Sequence, residues 1–85
     1  MDTPDSLGVF RLYVLPQAPL RFVPCCVDLN DNDDFFYVKS LIGKMLEMGE
    51  KGQILSYGGE VLQDEKTPID YEMRSGSVLL LNSKA

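Results

Sequence analysis

Chemistry needs a nucleophile, a proton carrier or a metal ligand, and this chain offers few of any. It contains no histidine, which removes the commonest general base and the commonest metal ligand together. Its two cysteines are neighbours, Cys25 and Cys26. A bond between adjacent cysteines closes a small strained ring and staples no loop, so the pair does not suggest a secreted disulfide scaffold. Cys25, on the inward face of a strand, reads as a small core residue. The acidic stretch from Asp28 to Asp34 has the density of a calcium loop. Such a loop begun at Asp28 would want glycine at its sixth position and glutamate at its twelfth, where Asp33 and Lys39 stand. The stretch reads instead as a helix-capping turn. The hydroxyls at Ser75-Gly76-Ser77 and at Thr67 have no base nearby. No catalytic residue, no cofactor and no metal site is expected, and the chain is not expected to be an enzyme.

The composition excludes further classes. The 85 residues make one small domain, and a hydrophobic content of 45% with 25% charged residues suits a globular chain. Thirteen acidic residues outweigh eight basic ones, for a net charge of −5. That balance argues against nucleic acid and against an anionic membrane surface, both of which select clustered lysine and arginine. The opening Met1-Asp2-Thr3-Pro4-Asp5-Ser6 is acidic and polar, unlike a signal peptide. No apolar run approaches the roughly 20 residues that a membrane span needs. The expected setting is intracellular, cytoplasmic or nuclear, where cysteines stay reduced.

The elements follow from periodicity. Residues 1–8 form a polar leader, and the domain runs over 9–82, with 83–85 as a short tail. Val9 to Leu15 alternates as a strand, with Phe10, Leu12 and Val14 inward and Arg11 and Tyr13 outward. Pro16-Gln17-Ala18-Pro19 makes a turn. Leu20 to Leu29 returns as a second strand with Cys25, Val27 and Leu29 on one face, and Pro24 implies an edge position or a bulge. Asp34 or Asp33 caps a helix from Phe35 to Met48, whose core face is Phe35, Val38, Ile42, Met45 and Leu46. Gly49 and Gly52 bracket its end. Gln53 to Tyr57 is a third strand, Gly58-Gly59 the tight turn, and Glu60 to Leu62 a short return. Thr67-Pro68 opens a single helical turn, with the threonine hydroxyl as its cap, and Val78 to Asn82 is the last strand. A sheet covered on one side by one long helix is an α+β design.

From Gln53 onward the residues resemble ubiquitin. The resemblance rests on Gln53-Ile54-Leu55-Ser56-Tyr57-Gly58-Gly59-Glu60-Val61-Leu62-Gln63-Asp64, then Thr67-Pro68-Ile69-Asp70-Tyr71-Glu72-Met73, then Ser77-Val78-Leu79-Leu80-Leu81. It extends back through Ile42 and Val38-Lys39, and covers about residues 29–81. The resemblance implies the β-grasp ubiquitin-like fold, a mixed sheet packed on one long helix. It also implies that Val38, Ile42, Leu55, Leu62, Leu79 and Leu81 fill the core. By the same resemblance Tyr71 pins the loop around Gln63 through its hydroxyl, and Lys39 pairs with Asp64. Pro68 replaces a core leucine, with Ile69 beside it as the residue to compensate.

Departures from ubiquitin carry the functional expectation. Conjugation in that family needs a flexible tail ending in two glycines, whereas this sequence ends Asn82-Ser83-Lys84-Ala85 and has its one Gly-Gly in a turn. Where ubiquitin's apolar patch carries its central isoleucine and its valine, Ser56 and Asn82 stand. Glu60 takes the place of the lysine most used for chain building. Ile54 and Leu80 replace an arginine and a histidine. The expectation is a non-conjugated interaction module with a protein partner, an adaptor in the ubiquitin pathway or in a multiprotein complex. The alternatives are a permanent structural subunit, as in elongin B, and a modifier whose tail has been cut. Two surfaces are candidates: Ile54, Ser56, Val78, Leu80 and Asn82 on the open face of the sheet, and Tyr37, Leu41 and Met48 with Phe36 on the helix.

Overall fold

The computed structural model describes residues 10–30 and 32–83. The leader expected over residues 1–8, and Lys84 and Ala85 of the expected tail, lie outside them. Five strands and one helix make the unit: β1 (Phe10–Pro16), β2 (Cys25–Leu29), α1 (Phe35–Leu46), β3 (Gln53–Tyr57), β4 (Glu60–Val61) and β5 (Val78–Ser83). Single 3-10 turns at Glu50–Gly52 and Pro68–Tyr71 complete it. The sheet order is β2-β1-β5-β3-β4, with β1 and β5 parallel and every other pairing antiparallel. This mixed sheet with one covering helix is the α+β, β-grasp arrangement expected.

Alternation along the strands turns one face of the sheet to α1. Leu12 and Val14 of β1, Val27 and Leu29 of β2, Leu55 of β3, and Leu79 and Leu81 of β5 pack there against Phe35, Val38 and Ile42 of the helix. Phe10, Leu62 and Met73 close the margins of this core. All six residues implied as core by the resemblance are buried.

The start of α1 is as expected: the Asp34 carboxylate accepts from the Tyr37 N–H at 3.0 Å. Its end is not. The helix stops at Leu46, with Glu47 in the left-handed conformation at φ 55, so Met48 lies beyond it. Gly49 and Gly52 flank the following 3-10 turn instead. The residue that permits the stop is Gly43. The Met48 N–H donates to its carbonyl at 3.2 Å, and a Cβ at Gly43 would sit 2.7 Å from the Met48 oxygen. Only glycine lets the chain fold back this closely. Gln53, buried at the start of β3, locks the bend by donating its side-chain amide to the carbonyls of Lys39 (2.9 Å) and Met48 (3.0 Å).

Several further expectations are corrected. Met45 is 47% exposed, because its side of α1 lies beside β2 rather than under the sheet. β2 begins only at Cys25; residues 20–24 form no strand, since Pro24 cannot extend the ladder. β1 includes Pro16, β4 ends at Val61 and β5 includes Ser83. Pro68 is itself buried, whereas Ile69 is 56% exposed and fills nothing. Thr67 does cap the turn as expected, within a capping box in which the Asp70 carboxylate accepts from the Thr67 N–H at 2.9 Å and from its hydroxyl at 3.2 Å.

Candidate protein-docking surface

The face of the sheet opposite α1 has no element over it among the described residues. Register decides what it displays. Parallel pairing sets Tyr13 beside Val78 and Leu15 beside Leu80; antiparallel pairing sets Ser56 beside Leu80, Val61 beside Ser56, and Ile54 beside Asn82. Paired residues point to the same side, so Leu15, Leu80, Ser56 and Val61 make one row across four strands. Tyr13 and Val78 make a second. Tyr13, Leu15, Val61, Val78 and Leu80 are exposed and Ile54 is half-buried.

All five residues expected on this face, Ile54, Ser56, Val78, Leu80 and Asn82, are brought together on it. Tyr13, Leu15 and Val61 belong to it too and were not among the candidates. The signal was present, since strand alternation already sets Tyr13 outward. Missing was the knowledge that β1 lies directly against β5.

The face is nearly uncharged. Among the described strand residues its one cation, Arg11, forks onto Asp28 with Nε–Oδ1 at 2.7 Å and a second bond of 2.9 Å. That contact holds the Asp28 carboxyl below the usual carboxylate range and the Arg11 guanidinium above its ordinary value. Both side chains stay nearly half exposed, so the pair adds little to stability. It does neutralise the rim.

The helix candidates are dispersed. Phe36 and Tyr37 are exposed, but Leu41 and Met48 pack partly against the core, and Met48 is outside α1. Met45 takes the place expected for Met48 in line with Tyr37 and Leu41.

The groups first considered for chemistry are occupied locally. Asp33 accepts from the Asn30 N–H at 2.8 Å, and Asp34 caps α1. Ser75 Oγ accepts from the Arg11 N–H, and Ser77 Oγ from the Arg74 N–H. Cys25 and Cys26 are free thiols on opposite sides of β2, and burial pushes the Cys25 thiol up. Among the described residues no group of three or more histidines, cysteines or carboxylates is placed to hold a metal ion, and no helix is long and apolar enough to cross a membrane.

Two signatures implied by the resemblance are in place. Tyr71 Oη accepts from the Gln63 N–H at 3.0 Å, and its ring meets Phe35 edge-on at 5.6 Å between centroids. Lys39 Nζ lies 2.7 Å from Asp64. Residues 24–85 match the ubiquitin family. Ubiquitin-like protein 4B of Monodelphis domestica is 36% identical over 55 residues, which is 65% of this chain and 30% of that protein. The chain therefore spans less than a third of that relative's length. Among solved structures, Caldiarchaeum subterraneum ubiquitin superposes with a TM-score of 0.82 at 19% identity, covering 92% of this chain and 96% of that one. At that identity the likeness speaks to the fold.

Proposed function

Since the chain belongs to the ubiquitin family, we propose that it acts as a non-conjugated protein-interaction module, an adaptor in the ubiquitin pathway or in a multiprotein complex, that docks its partner on the open face of the sheet. The observation that carries this reading is the row Leu15–Leu80–Ser56–Val61 with Tyr13, Val78 and Ile54 around it: exposed or half-exposed apolar side chains from four strands gathered about Ser56. Contiguous exposed apolar area of this kind marks contact surfaces, while scattered single residues do not. Burying a side chain such as Leu80 or Ile54 against a partner is worth roughly 1.5–3 kcal/mol, enough to make it a hot spot.

Partner choice follows from the same residues. With Ser56 and Asn82 in the ubiquitin patch positions, and with Ile54 and Leu80 instead of cations, the apolar centre shifts towards β1 and β5. A partner that relies on ubiquitin's charged rim meets Arg11 already neutralised by Asp28. The Gly58-Gly59 pair is committed to the β3–β4 turn, both residues at positive φ. The absence of histidine supports a module without catalysis, and the free thiols an intracellular setting.

The test compares affinity capture by the parent, by Ile54→Asp with Leu80→Asp, and by Tyr37→Ala with Leu41→Lys, each shown folded by NMR. A partner held by the parent and the helix variant, lost by the sheet variant, and reproduced with purified components supports the reading. Loss in the helix variant alone moves the site to α1. A thioester formed with an activating enzyme and ATP, released by thiol, refutes the non-conjugated role.

A further inference from the structure

Residues 17–24 join β1 to β2, and the two halves of this loop are held differently. The first half is tied down. The Gln17 N–H donates to the Leu81 carbonyl at 2.9 Å, the Leu20 N–H to the Gln17 carbonyl at 2.8 Å, and Leu20 packs partly against the core. The second half is not. Arg21, Phe22, Val23 and Pro24 are all exposed, and among the described residues no backbone hydrogen bond ties them to another element. Val23, at 77%, is more exposed than any other large apolar side chain among the described residues, and Phe22 before it stands at 40%. The two concentrate exposed apolar area at one place on the surface.

Charge and stiffness set this tip apart from the rest of the chain. Between Arg11 and Asp28 the one charged residue is Arg21, although the whole sequence carries a net charge of −5. Arg21 makes no salt bridge among the described residues. Pro19 and Pro24 stand on either side of the exposed residues and fix φ at both positions. A loop restrained in this way loses less freedom when a partner orders it.

We propose that the tip of the β1–β2 loop is a convex anchor: Phe22 and Val23 enter a concave apolar pocket on another protein, and a carboxylate on the rim of that pocket meets the Arg21 guanidinium. Shape selects a pocket, because two side chains on a tip bury little against a flat face and most of their surface in a cleft. Charge selects the rim. A partner matched to the acidic remainder of the chain would carry cations, and these would repel Arg21; the tip asks for the opposite sign. A second copy fits less well, since a net charge of −5 on each copy opposes their approach. This surface is separate from the open sheet face and stands or falls independently of it.

The probe is carboxymethyl-β-cyclodextrin, an apolar cavity rimmed by carboxylates, titrated into the nitrogen-15-labelled chain beside the neutral parent macrocycle. The Arg21, Phe22 and Val23 amides should move first, ahead of those of the exposed Phe36 and Tyr37. The anionic macrocycle should bind about threefold tighter than the neutral one. Phe22→Ser should weaken binding at the loop by about tenfold, and Arg21→Gln should remove the preference for the anionic form, with the remaining amide spectrum unchanged. In cell extract, photoreactive benzoylphenylalanine in place of Val23 should crosslink to a partner that, once purified, binds the parent about tenfold tighter than Phe22→Ser. The crosslink should lie in an apolar pocket with a carboxylate at its rim. The proposal is overturned by shifts led by Phe36 or Tyr37, by equal affinity for the two macrocycles, by a crosslink to a flat or basic surface, or by no crosslinked partner. Shifts at Arg21, Phe22 and Val23 that grow with protein concentration alone assign the tip to a second copy and overturn the partner pocket.

Discussion

The ammonium of Lys39 on α1 lies 2.7 Å from a carboxylate oxygen of Asp64, with the lysine side chain 11% exposed and the aspartate 47%. The asymmetry sets what each removal costs. Asp64 keeps water if its partner goes; Lys39 loses the counter-charge that its burial requires. Asp64→Ala should therefore destabilise by about 1–3 kcal/mol, while Lys39→Met, which replaces the buried ammonium with apolar volume, should cost less. Urea unfolding of both variants checks the order.

The depth of the helix register gives a second test. Ile42 is fully buried and Met45 is 47% exposed, although both belong to the apolar periodicity of α1. Ile42→Ala should cost about 2–5 kcal/mol, a large share of a small domain's stability. Met45→Ala should stay within about 1 kcal/mol, as substitutions away from the core do. Comparable losses would place Met45 in the core.

A third outcome concerns the β3–β4 turn. Gly59 has φ +85 and open space where a side chain would go, so its substitution meets backbone strain without a clash. Gly59→Ala should destabilise by about 1–2 kcal/mol with the fold retained, read from the melting temperature and an unchanged amide spectrum.

Acid sensitivity has a defined sign. The Thr67 N–H holds the Asp70 carboxyl below the usual carboxylate range, helped by the Thr67 hydroxyl and the charge of Lys66. A lowered folded value means that the stabilisation is present above the unfolded value and is lost as pH falls through the folded one. Asp70→Asn should flatten the decline of stability as pH falls below the usual carboxylate range relative to the parent, measured by urea midpoints. Asp28, held low by Arg11, should show the same direction in Asp28→Asn.

Local signals in the sequence were strong where a single residue type had one physical use. Gly58-Gly59 could only be a tight turn, and Asp34 ahead of Phe35 could only help to start a helix. The end of α1 was harder, because the terminating geometry rests on Gly43 inside the helix and on Gln53 far along the chain, not on the nearby Gly49. Met45 was expected in the core because it lies three residues after Ile42, a spacing that does not say how far the sheet reaches over that side of α1. On the open sheet face, the residues of β3 and β5 could be read from alternation and from the resemblance. Tyr13 and Leu15 were left out because membership of a face depends on strand order, which alternation within one strand does not encode.

The placement of β5 in the middle of the sheet also sets when the domain can form during synthesis. β1 and β2 can pair as a hairpin, and β3 and β4 as another, but the two ribbons meet only through β5, the last of the five strands to leave the ribosome. Until residues 78–83 emerge, Leu12, Val14 and Leu55 lack the Leu79 and Leu81 that complete their packing, and β1 and β3 each present an unpaired edge. Folding of this domain therefore waits for β5, a single late closure and not a progressive build from the amino end.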